Sequence, residues 1–208
     1  MHKIRSDPEH RKKRNRRRIQ AILFSAAIAI GLAWFLESRA TTTVIFVRHA
    51  EKALIPVDDP GLSAIGRLRA AELARQLADV DVVGGIDVIY STPYRRTLET
   101  AEPVAAALGL PINRYDPNED YATLLRGIVK QHKGRIILVV GHSNTLPELI
   151  AALGASKKVP PIAEFEYDNL YLVSIPWFGK TKTIRLRYGD PYEGDPADES
   201  YPGLKMNQ

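Results

Sequence analysis

Two histidines in this chain follow runs of apolar, β-branched residues. One run gives Val44-Ile45-Phe46-Val47-Arg48-His49-Ala50-Glu51, the other Leu138-Val139-Val140-Gly141-His142-Ser143-Asn144. Neutral imidazole is a competent nucleophile near pH 7, and covalent catalysis splits one hard displacement into two easier ones. A third run, Ile86-Asp87-Val88-Ile89-Tyr90, leads into Ser91-Thr92-Pro93-Tyr94-Arg95-Arg96-Thr97-Leu98-Glu99-Thr100-Ala101. There a turn delivers arginines to the start of a helix. The planar fork of arginine matches phosphate oxygens, and backbone N–H groups at a helix N-terminus attract anions. Two histidines with arginines are the makings of a pocket for a dianionic phosphoryl group.

The pocket exists only if the elements bring these residues together. Residues 42–47, 86–90, 112–115 and 135–140 read as strands, and 170–175 with 181–187 as a hairpin-like pair turning at Pro176-Trp177-Phe178-Gly179. Helical spacing of apolar and small residues covers 63–79, with Ser63 as N-cap, then 95–108, 118–132 and 144–153. Strands alternating with helices predict an α/β three-layer sandwich with a mostly parallel sheet. In such sheets ligands bind at the carboxyl ends of the strands, where His49, His142 and the arginines fall.

Taken together, Arg48-His49-Ala50-Glu51, Leu62-Ser63-Ala64-Ile65-Gly66, Ser91 to Ala101 and Gly141-His142-Ser143-Asn144 resemble the histidine phosphatase superfamily, with its phosphoglycerate mutase-like fold. The resemblance runs in order and spacing over roughly residues 42–187. It implies that His49 is the nucleophile, taking the phosphoryl group as a phosphohistidine, with Arg48 beside it and His142 as the second pocket histidine. Counting back from Thr100-Ala101 selects Arg96 as the pocket arginine and leaves Arg95 on the surface. Arg48, Arg96 and a cationic His142 would neutralise the phosphoryl charge without a metal or cofactor, and water would release phosphate from His49. Ser143 and Glu51 complete the expected substrate-binding set. For Ser143-Asn144 two readings stand side by side: Ser143 as a donor to phosphate, and Asn144 as the cap of the following helix. Glu51 has a structural alternative, an ion pair with Lys52 or an arginine. His132, at the end of a helix, suits the helix dipole rather than the site.

Two features depart from the family pattern. Many members carry a glutamate general acid in an insertion that is short here, so Asp116, Glu119 and Asp120 are the available acids. A general acid is typically worth ~10²–10⁴-fold, so a site without one favours good leaving groups. Lys52 adds a cation where small hydroxyl residues are common, which favours an acidic substrate.

The 208 residues hold no cysteine, which excludes disulfides, cysteine zinc sites and a thiol nucleophile. The net charge of +5 is concentrated in residues 1–18, which hold nine Lys/Arg and two acids; the remaining chain is slightly acidic, so a nucleic-acid-binding domain is not expected. Residues 19–36 contain no charge and, as a helix, are about 27 Å long, close to the ~30 Å hydrocarbon core. The expected organisation is a basic cytoplasmic tail (1–18), a transmembrane helix in the bilayer (19–36), a linker (37–41), a catalytic domain (42–188) and a loose C-terminal tail (189–208). The preceding cations place that domain on the extracytoplasmic, bacterial periplasmic, side. A cleaved signal ending near Ser38-Arg39-Ala40 and a buried core helix are the alternatives for the apolar segment. The function implied is a metal-independent phosphatase acting on a phosphorylated small molecule or a phosphohistidine protein; a phosphoglycerate-type mutase and a non-catalytic phosphate-binding scaffold are the alternatives.

Overall fold

A computed structural model describes residues 8–37, 41–79, 84–155 and 158–190. The chain divides into two units, residues 1–40 and 41–208.

The described part of the first unit is one helix, α1 (Pro8–Glu37). The basic segment expected as a tail is therefore helical from Pro8 onward and continuous with the apolar segment. Arg and Lys are good helix formers, and no Pro or Gly interrupts residues 9–30. Within Lys12–Phe35, an 18-residue stretch has a mean hydropathy of 1.7, and the helix is long and apolar enough to cross a membrane. Residues 1–7, the linker residues 38–40 with the cleavage-like Ser38-Arg39-Ala40, and tail residues 191–208 lie outside the described residues.

In the second unit, β1 (Thr41–Arg48), β2 (Val88–Ser91), β3 (Ile112–Arg114), β4 (Ile136–Gly141), β5 (Asn169–Pro176) and β6 (Lys182–Arg187) form one sheet in the order β3-β2-β4-β1-β5-β6. The pairings among β3, β2, β4 and β1 are parallel, and the β1–β5 and β5–β6 pairings are antiparallel. The sheet is thus mixed, with its parallel part carrying both histidine-tipped strands side by side.

Period-two alternation sorts the strand side chains into two cores. Ile45, Val47, Leu138 and Val140 pack with Leu73 and Leu77 of α2 (Ala64–Ala78) and Ala101 and Val104 of α3 (Arg95–Leu108). Val44, Phe46, Ile137 and Val139 pack with Leu125 and Ile128 of α4 (Tyr121–Gln131) and Leu146, Leu149 and Ile150 of α5 (Leu146–Ala152). Two helices on each face make the three layers. Burying strands on both faces explains why they read as unbroken apolar runs.

Helix starts follow capping chemistry. Ser63 Oγ accepts from Gly66 N at 3.0 Å, as expected of an N-cap. α4 starts three residues later than the sequence reading, because Asp120 caps it by accepting from Thr123 N at 2.8 Å. α5 starts at Leu146, with Thr145 at the cap and Pro147 in the first turn, so Asn144 is exposed and is not the cap.

Candidate active site

β1 and β4 are adjacent and parallel, with Arg48 paired to Gly141 in register, so His49 and His142 leave the sheet together. His49 N donates to Gly141 O at 2.9 Å, and the two imidazole centroids are 5.4 Å apart. Gly141 is tightly enclosed: a Cβ there would stand 3.0 Å from the Tyr115 hydroxyl and 3.2 Å from Leu146.

The His49 ring is held by one hydrogen bond that fixes its tautomer. Nδ1 lies 2.8 Å from Ala50 O. A carbonyl oxygen only accepts, so Nδ1 carries the proton and Nε2 carries the lone pair. Burial, above all, and then Arg48, His142 and Arg96 push the His49 pKa down from 6.5 to about 3. His49 is therefore a neutral imidazole at physiological pH. The loop after it is tied to α3, because Ala50 N donates to Thr100 Oγ1 at 2.9 Å and Thr100 Oγ1 donates to Arg96 O at 2.7 Å.

His142 is oriented by hydroxyls. Thr97 Oγ1 donates to Tyr94 O at 2.8 Å or Thr92 O at 3.1 Å, which leaves it an acceptor for Thr92 Oγ1 at 2.8 Å. Thr92 Oγ1, having given its proton to Thr97, accepts from His142 Nε2 at 3.0 Å. Thr92 and Thr97 are fully buried. Burial first, then Arg96 and Arg48, lower the His142 pKa to about 4. The free site accordingly holds a neutral His142, because desolvation and two arginines disfavour a second proton.

Arg48 is nearly fully buried. Its Nη1 donates to Ala163 O at 2.8 Å and Glu166 O at 3.1 Å, and its guanidinium lies 4.2 Å over the Tyr167 ring. Its Nε is buried without a hydrogen-bond partner among the described residues. Arg96 stands in the first turn of α3, with its guanidinium 4.6 Å from the Tyr94 ring and 3.8 Å from the Asp59 carboxylate. Arg95 points to a different partnership, Glu99 at 3.2 Å, and is exposed as expected.

The remaining expected residues are dispersed. Ser143 follows His142, half-buried. Glu51 is buried against Arg69, Oε1 to Nε at 2.7 Å, which is the arginine alternative of the sequence reading. Lys52 sits 3.8 Å from Glu164. His132 is bonded through Nε2 to the Tyr90 hydroxyl at 3.0 Å. Of the three candidate acids, Asp120 is taken up by its cap, and hydrogen bonds from Thr123 lower its pKa, the wrong direction for a proton donor. Asp116 accepts from Asn118 N at 2.8 Å. Glu119 is exposed.

Sequence reading missed Thr92, Thr97, Tyr94, Tyr167 and Asp59. The first three lie inside the Ser91–Ala101 segment, and a pair of hydroxyl residues flanking the pocket arginine was the available signal. Tyr167 and Asp59 come from loops without periodicity.

Residues 44–117 match the model of the histidine phosphatase superfamily, branch 1. This is the histidine phosphatase fold. Phosphoserine phosphatase 1 of Hydrogenobacter thermophilus is 39% identical over 79 residues, which are 35% of this chain and 36% of that protein. The match thus spans about a third of that relative's length. Among solved histidine phosphatase-like structures, the protein histidine phosphatase SixA complexed with tungstate is 21% identical, with a TM-score of 0.58 over 70% of this chain and 96% of that one. Phosphoserine phosphatase of Entamoeba histolytica in complex with 3-phosphoglyceric acid is 18% identical, with a TM-score of 0.53 over 72% and 98%. A mycobacterial glucosyl-3-phosphoglycerate phosphatase is 16% identical, with a TM-score of 0.53 over 71% and 98%.

Proposed function

We propose that this protein is a membrane-anchored phosphatase that hydrolyses a phosphomonoester or a phosphohistidine through a covalent phosphohistidine on His49. The observation that carries it is the hydrogen bond from His49 Nδ1 to Ala50 O, 2.8 Å, which gives Nε2 the lone pair beside two arginines and a second histidine. Relatives named as phosphatases support the same reaction class.

The phosphoryl dianion binds through the unpartnered Nε of Arg48, the guanidinium of Arg96 and the N–H groups of the first turn of α3. Nε2 of His49 attacks phosphorus. The Nε2–P bond forms as the bond from phosphorus to the leaving atom breaks, the ester oxygen of a phosphomonoester or the imidazole nitrogen of a phosphohistidine, and the leaving group takes a proton from solvent or a site acid. Water then attacks phosphorus, the Nε2–P bond breaks, and inorganic phosphate leaves with one proton of the water lost to solvent. Charge neutralisation by prepositioned donors is the main catalytic contribution in such transfers. His142 is neutral when the site is free. A bound dianion supplies the counter-charge that favours its second proton and makes it a further donor. The carboxylate in contact with a site arginine is Asp59, so Asp59 joins Asp116 and Glu119 as a candidate acid.

Full-length protein in detergent, assayed with p-nitrophenyl phosphate and a phosphohistidine peptide, is expected to release phosphate. His49→Ala is expected to abolish release. Removing a charge-stabilising donor costs about 10²–10³-fold, so Arg96→Ala should lose activity on that scale while Arg95→Ala stays within a few-fold. No phosphate from wild type on either substrate would reject the proposal. A phosphorylated sugar acid returned as its isomer, not as free phosphate, would identify a mutase.

A further inference from the structure

The sheet edge opposite the histidines carries two large apolar side chains in water. Trp177 is 79% exposed and Phe178 is 90% exposed. They lie in the turn between β5 and β6, and Pro176, the residue before Trp177, pairs with Thr41, the first residue of β1. The tip and the entry of the chain into the sheet therefore share one edge. Exposed Lys180 and Lys182 follow the tip in sequence, and exposed Lys133 precedes Gly134, whose N–H donates to Thr42 Oγ1. Among the described residues, the acids near that edge are engaged: Asp87 is bonded to Arg135 at 2.7 Å, and Asp79, at the end of α2, lies 3.6 Å from Arg75. Tryptophan flanked by lysine is the composition that partitions into the headgroup region of a bilayer.

Sequence distance points to the same partner. Phe35 ends the apolar span, and Thr41 starts β1. Six residue steps reach about 20 Å when fully extended. If the span crosses a bilayer, the Thr41 edge is tethered close to the lipid surface. The 8 residues of β1 then carry His49 about 25 Å further from that edge.

We propose that the Trp177–Phe178 tip and its lysines seat on the bilayer surface, so that the histidine site opens away from lipid and takes a water-soluble phosphorylated substrate, not a lipid phosphate. This rests on the anchored-phosphatase proposal above. Leu54, Ile55 and Val57 are also exposed, but on the loop beside Asp59 at the site edge, where the tether does not hold them to lipid.

The chain has two tryptophans, so Trp34→Phe leaves Trp177 as the sole tryptophan in the full-length protein, excited selectively over the tyrosines at the red edge. The variant is reconstituted into vesicles of phosphatidylcholine with phosphatidylglycerol. The expected result is a blue shift of Trp177 emission, strong quenching by headgroup-labelled nitroxide lipid, weak quenching by aqueous iodide, and loss of all three on adding Phe178→Asp. Emission that stays water-like and iodide-quenched, in protein that resists a carbonate wash of the vesicles, overturns the docking and leaves the anchor standing. Protein removed by the wash overturns both. A blue shift without lipid quenching assigns the tip to a protein contact and overturns the docking.

Discussion

Glu51 and Arg69 form an ion pair at 2.7 Å with both side chains buried, eighteen residues apart in sequence. It joins the segment that carries His49 to α2. Arg69 also donates to Tyr188 O at 3.2 Å and Asp190 O at 3.0 Å, which ties in the end of β6. Breaking one side of a buried pair leaves an uncompensated charge, at a cost of about 3–5 kcal/mol. Arg69→Met should lower the denaturant midpoint by a corresponding amount, and adding Glu51→Gln should recover part of the loss. If Glu51 instead contacts substrate, Glu51→Gln will raise KM with little loss of stability.

The donor chain Thr97–Thr92–His142 makes Thr97 a positioning residue for the second histidine. A net hydrogen bond is worth about 0.5–1.5 kcal/mol, so Thr97→Val should lower kcat by up to about tenfold, and Thr97→Ser should restore it. Steady-state kinetics on purified, equally stable variants check this. Equal losses in Val and Ser variants would show that the methyl group, not the hydroxyl, matters.

Burial and neighbouring cations hold His49 at about 3 and His142 at about 4, both below the ordinary 6.5. Their imidazole resonances, assigned by His→Gln variants, should not titrate between pH 5 and 8 in the free protein. In the unfolded chain both bind protons near pH 6.5, so between there and about 4 the unfolded state binds more protons than the folded state. Stability should be unaffected by these groups above pH 6.5 and should fall as pH drops from 6.5 toward 4. Denaturant midpoints across that window measure the sign, and a midpoint that rises toward pH 4 would contradict it.

The sequence was most informative where local pattern and tertiary role coincide. Apolar β-branched runs end at Arg48 and Gly141, so the strands and the placement of the histidines at their carboxyl ends were both legible. α3 was legible to the residue, Arg95 to Leu108, because a proline turn precedes it and Gly109 ends it in the left-handed conformation. The motif glycine at 66 is explained by packing: a Cβ there would collide with the Glu51 backbone, which closes α2 against the His49 loop. Partnerships between distant segments were not legible. Arg48 is wrapped by carbonyls more than a hundred residues away, and no periodicity announces Ala163 or Glu166. The charge state of His142 in the free site was not legible for a related reason, since it depends on burial and on the sum of neighbouring charges.

The most direct test of the mechanism is to trap the intermediate. Full-length protein is mixed with a radiolabelled generic phosphodonor, quenched, and compared with His49→Ala and His142→Ala under acid and alkali. Label that survives alkali, is lost in acid and is absent only from His49→Ala is the expected result. Label that persists in His49→Ala, or wild type that releases phosphate without ever carrying acid-labile label, would contradict a phosphohistidine on His49.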